Sequence, residues 1–179
     1  MHYDPNEFND GLNILDHLEA LADQNDKVAE CKYFLDLATQ EKDKDKFRWL
    51  ISAFFGAAYS YFEISALRAY YGFCDPKTGT PIKNNEVLAT LNRYVGVFLK
   101  QNKPDYVSTF GRHIIIKQLY ELRRGNTHHY PLSIMSSSQE LPEGFQFVIQ
   151  SNNVVPALTF CRETMMLIQE VDRELQQHF

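Results

Sequence analysis

The stretch from Lys46 to Gly72 constrains this chain more than any other, because nearly every position in it is apolar or small. Its uncharged centre, Trp49 to Phe62, runs for 14 residues. A membrane span needs roughly 20 apolar residues. Glu63 and Arg68 interrupt any extension. The pattern predicts one long helix over 46–72, buried on most sides. At 100° per residue, Ser52, Gly56, Ser60 and Glu63 fall within about 80° of one another. This narrow polar seam either faces solvent or turns Glu63 toward a cleft shared with another helix.

Other segments arrange themselves around that rod. Leu12, Leu15, Leu18 and Ala22 predict an amphipathic helix over 9–23, and Val28, Cys31, Leu35 and Ala38 a second over 27–40. The charged run Gln40 to Lys46 reads as a solvated connection or a first helical turn. Gly72 to Asn85 carries turn chemistry in Asp75-Pro76 and Thr78-Gly79-Thr80-Pro81. Lys77-Thr78-Gly79 lacks the spacing and preceding strand of a phosphate loop. Val87, Leu91, Tyr94 and Phe98 predict a helix over 85–101. Phe110, Ile114, Lys117 and Glu121 predict another over 105–123. Beyond Gly125, Leu132 and Ile134 alternate with polar neighbours, as do Phe145, Phe147 and Ile149, so a small hairpin is expected at 131–150. The apolar stripe Val154, Leu158, Cys161, Met165, Ile168, Val171 and Leu175 closes the chain with a helix over 154–176. The expectation is a mainly all-α single domain over 1–179, its core at 27–129 plus 154–176, with a β-hairpin inserted before the last helix.

Composition narrows the function classes. The net charge is −5, which argues against a general nucleic-acid coat, although one face can still be basic. Cys31, Cys74 and Cys161 form no C-x-x-C pair, so a thiolate zinc site is not expected, and scattered thiols suit a reducing compartment. Met1 to Asp10 contains Asp4, Glu7 and Asp10 and no apolar run, unlike a secretory signal. A cytoplasmic protein without membrane association, metal or cofactor is the expectation.

One segment carries chemistry: Leu119-Tyr-Glu-Leu-Arg-Arg-Gly-Asn-Thr-His-His-Tyr-Pro131. Arg123 and His128 are separated by four residues, as are Arg124 and His129. A guanidinium presents a planar fork matched to phosphate oxygens, and an imidazole moves protons near neutral pH. From Arg112 to His129 four fixed cations stand against one anion, a local +3 in an acidic chain. Alternatives remain open. Basic residues near a helix C-terminus also complement the dipole, with Gly125 or Asn126 as the cap. His128-His129 as a metal pair lacks accompanying carboxylates. His113 reads as structural.

Glu121-Leu-Arg-Arg-Gly-Asn-Thr-His128 resembles the E-L-R-N-x-x-x-H segment of HEPN domains, small helical bundles marked by R-x(4–6)-H. Ala29 to Leu35 and Phe47 to Phe55 resemble the paired first helices of bacterial HEPN-like proteins, and the order of elements agrees. This chain has Arg124 where the family usually has Asn, Asp or His. The resemblance implies an up-and-down bundle and, in many members, a metal-independent endoribonuclease in which the ribose 2′-OH attacks the adjacent phosphate. It assigns catalysis to Arg123 and His128, with Glu63 or Glu121 orienting the arginine and Arg124, Asn126 and His129 nearby. It also implies homodimers whose two motifs line one cleft, RNA as substrate, and toxin–antitoxin or defence settings with an antitoxin or other protein partner. Some members are non-catalytic modules that bind a protein partner or a nucleotide. A helical protein with an accidental Arg–His spacing is the remaining reading.

Overall fold

Asp43 starts the central helix. Its Oδ1 accepts the backbone N–H of Asp45 (3.0 Å) and of Lys46 (2.9 Å), so one carboxylate satisfies two donors that a helix start leaves unpaired. In a computed structural model of the chain, residues 24–71, 77–78, 85–97, 107–108, 113–128, 131–149 and 153–178 are described. The helix expected at 9–23 lies outside them. The described elements are α1 (Gln24–Ala38), α2 (Lys44–Tyr71), α3 (Asn85–Tyr94), β1 (Gly96–Val97), β2 (Val107–Ser108), α4 (Ile114–His128), β3 (Ile134–Ser136), β4 (Phe145–Ile149), β5 (Asn153–Pro156) and α5 (Ala157–Leu175). The fold is mainly helical, with a small antiparallel sheet.

The expected long helix is α2, and it is buried as its composition demands. Phe47, Ile51, Phe54, Phe55, Tyr61 and Phe62 are essentially inaccessible. Helix α1 packs against it most extensively, and α3, α4, α5 and β2 also touch it. Ser65, a buried hydroxyl on α2, donates to the carbonyl of Tyr61 (2.7 Å).

The expected hairpin is present and has gained a third strand. β4 pairs with β3, Ile134 opposite Phe147, and with β5, Phe147 opposite Val155. Period-two alternation sends Ile134, Phe145 and Phe147 inward and leaves Met135, Val148 and Val154 exposed. Phe147 sits 5.6 Å from Phe55 and 6.0 Å from Phe160 between ring centroids, so the sheet closes on α2 and α5 together. In the β3–β4 turn a side chain at Gly144 would meet the Gln139 carbonyl at 2.5 Å, which reserves the position for glycine.

Three sequence expectations are corrected. The helix expected at 85–101 ends at Tyr94, because the Tyr94 carbonyl accepts the N–H of His113 (3.2 Å) and Gly96-Val97 pair with Val107-Ser108. Gly96 and the β-branched Val95 and Val97 are weak helix formers. The helix expected at 105–123 is displaced: Val107-Ser108 is a strand, and α4 runs from Ile114 to His128. Gly125 and Asn126 are therefore interior helical positions rather than the cap. Packing of α4 on α2 and α5 outweighs the local cost of a mid-helix glycine, about 1 kcal/mol. The last helix begins at Ala157, since Val154 and Val155 belong to β5 and Pro156 fits just ahead of a first helical turn.

Helix α5 is held to the core by more than its apolar stripe. The Tyr61 hydroxyl donates to Asp172 Oδ1 (3.1 Å), and the Tyr94 hydroxyl donates to Glu174 (2.9 Å), with the Glu170 carboxylate 3.2 Å from the same oxygen. Burial, then the nearby Asp172 carboxylate, pushes the Tyr61 phenol well above its ordinary value. A raised folded-state pKa contributes stability that is complete below the unfolded value, about 10, and is lost as pH rises beyond it. Urea midpoints should therefore fall as pH climbs past about 10. Tyr61→Phe should make that fall shallower, and an unchanged slope would show that Tyr61 does not carry it.

Candidate functional site

Positions 59 and 63 are one turn apart on α2, so Tyr59 and Glu63 lie on one face. Helix α4 crosses that face. Tyr120 and Arg123, three positions apart on α4, both approach Tyr59: the two tyrosine ring centroids are 5.9 Å apart, and the Arg123 guanidinium carbon stands 3.8 Å over the Tyr59 ring. Tyr59 is 8% exposed, while Arg123, Glu63 and Tyr120 are half-buried.

The charges are arranged about the Tyr59 hydroxyl. It donates a hydrogen bond to the Glu63 carboxylate. Burial and the Glu63 charge push its pKa up, and the Arg123 cation pulls it down by less. The phenol therefore stays protonated and acts as a fixed donor. A guanidinium stacked on a ring uses its face and keeps its N–H donors at the edge, where phosphate oxygens bind. Among the described residues no carboxylate forms an ion pair with Arg123.

The structure brings two of the sequence-derived residues, Arg123 and Glu63, to the same tyrosine. Glu121 is half-buried on α4. Arg124, Asn126 and His128 occupy helical positions of α4, and only their backbone is described; His129 lies outside the described residues. Arg123 and His128 share one helix, five positions apart, which is about 7.5 Å along the axis and 140° around it. His113 lies just ahead of α4 rather than within it: its backbone N–H donates to the Tyr94 carbonyl (3.2 Å) and its ring Nδ1 accepts the N–H of Ile115 (3.4 Å). Tyr59 and Tyr120 were not legible as site residues, since an aromatic in an apolar helix reads as core. The single available signal was the i, i+4 pairing of Tyr59 with Glu63.

Among the described residues no group of three histidine, cysteine or acidic side chains is placed to hold a metal, and no helix is long and apolar enough to cross a membrane. No protein-family model matches the chain, and no curated protein or solved structure gives a significant match.

Two substitutions separate the roles of the Tyr59 ring and hydroxyl. Tyr59→Phe keeps the stack and loses one hydrogen bond to a charged acceptor, so urea denaturation should show a loss of about 1.5–3 kcal/mol. Tyr59→Ala removes a buried ring and should cost about 3–5 kcal/mol. Equal losses would place the stabilisation in the hydroxyl rather than in the ring that carries Arg123.

Proposed function

We propose that the chain is a HEPN-type, metal-independent endoribonuclease whose chemistry rests on Arg123 and His128. The observation that carries this reading is the Arg123 guanidinium stacked on Tyr59, with its donor edge outside any described ion pair, on the helix that also bears His128. A cap at a helix terminus needs no such platform.

The ribose 2′-OH attacks the adjacent phosphorus, and the bond from phosphorus to the 5′ oxygen breaks. His128 assists proton transfer, and Arg123 stabilises the charge gathering on the non-bridging oxygens. Glu63 acts through Tyr59, which it fixes by a hydrogen bond. The strand ends produced are a 2′,3′-cyclic phosphate and a 5′-hydroxyl. The protein works in the cytoplasm as a homodimer, in a toxin or defence setting where an antitoxin or other protein partner restrains it. The buried thiols of Cys31 and Cys161, unpaired with any disulfide partner, fit that compartment.

Arg124 favours a second reading. The family usually has Asn, Asp or His at that place, and a chain without it fits a non-catalytic module that binds a protein partner or a nucleotide through the same arginine.

Purified protein should cleave mixed RNA in the presence of EDTA, and His128→Ala should abolish cleavage with its thermal unfolding unchanged. Arg123→Lys should cut the rate about 10²-fold or more, because an ammonium cannot reproduce the two-pronged contact. Equal cleavage by wild type and His128→Ala would place the activity elsewhere. RNA binding without cleavage would select the non-catalytic module.

A further inference from the structure

The closed end of the α1–α2 hairpin carries a surface that the Arg123 site does not use. Phe34 and Leu37 from α1 and Trp49, Leu50 and Ala53 from α2 line an open cleft of about 600 Å³. Trp49 is 61% exposed, Leu37 39%, and Tyr33, one turn before Leu37, 60%. Large apolar side chains concentrated on so small an area mark an interaction surface, and aromatic residues are the usual anchors of one. Two charges of opposite sign, Glu41 and Lys46, stand among the lining residues. Gly56 lies two turns beyond Trp49 at nearly the same angle around α2. No described atom comes within 4 Å of the place a Cβ would take there, so another helix can run close along this face.

We propose that this cleft is occupied by a second copy of the chain, joined hairpin to hairpin about a two-fold axis with each Trp49 seated in the other copy's cleft. A two-fold contact requires one patch to hold both halves of every interaction. This patch holds a projecting tryptophan beside an apolar hollow, and a lysine beside a glutamate, so Lys46 of each copy meets the partner's Glu41. The inference rests on the two-copy part of the function proposed above and not on its chemistry.

Trp49 is the only tryptophan in the chain, so its fluorescence reports on the cleft directly. At micromolar concentration the full chain should scatter light as twice 20.9 kDa, with Trp49 emission at short wavelength and resistant to acrylamide quenching. Dilution should shift the emission toward that of an exposed indole as the mass halves. Leu37→Glu, which keeps the fluorophore, should give a monomer with exposed-type emission and unchanged circular dichroism. Lys46→Glu should weaken the dimer and Glu41→Lys added to it should restore it. A monomer at every concentration overturns both this surface and the two-copy reading. A dimer that survives Leu37→Glu with Trp49 exposed overturns the surface and leaves the two-copy reading standing. A shielded Trp49 in a monomer, independent of concentration, assigns the cleft to another segment of the same chain and overturns the proposal.

Discussion

Three phenylalanine rings hold the described structure together. Phe55 of α2, Phe147 of β4 and Phe160 of α5 stand within 5.6–6.2 Å of one another, two of the pairs edge to face. A three-stranded sheet has no second layer of its own, and its inner face must be covered. Phe55 and Phe160 provide that cover, which makes α2, the sheet and α5 one core. Phe47 against Phe145 extends the same contact toward the start of α2, at 4.4 Å. The remaining elements are placed relative to α2: α1 packs alongside it, and α4 crosses it at Tyr59.

That rigidity matters for Tyr59. Its neighbours Ala58, Tyr61 and Phe62 are fully or almost fully buried, so the backbone beneath the ring is fixed by the core. A flexible arginine loses side-chain entropy when it is ordered by a ligand. Arg123 is already ordered over Tyr59, so a phosphate meeting its edge need not supply that cost. The site also sits where the α4 segment is locally basic within an acidic chain. Under the function proposed above, RNA bound there would meet few phosphates, so its binding should depend on salt only modestly, unlike that of a protein that coats nucleic acid.

The parts of the fold that were legible in the sequence are those whose burial is nearly complete or strictly periodic. Helix α2 differs from its expected span by only a residue or two at each end, because almost no alternative environment suits twenty-odd apolar and small residues. The stripe from Leu158 to Leu175 is likewise buried as read. The two-residue strands β1 and β2 were hidden, since two residues carry no period and their pairing is set by a contact between Tyr94 and His113 that is remote in sequence. The end of α4 was misplaced because Gly125-Asn126 reads locally as a cap, while the packing that carries the helix onward is tertiary. At the candidate site Arg123 and Glu63 stood out as charges in unusual company. Tyr59 did not, because its meaning comes from Arg123, contributed by a different helix.

The central claim is that the Arg123–His128 segment cleaves RNA by using the substrate's own 2′-hydroxyl. The most direct test maps the cut in a short RNA and then replaces the ribose at that position alone with 2′-deoxyribose. The account predicts that the substituted strand still binds and is not cut there, while the parent RNA yields a 2′,3′-cyclic phosphate. Cleavage of both strands at the same bond with equal rates would contradict it, because the nucleophile would then be water or a side chain rather than the sugar.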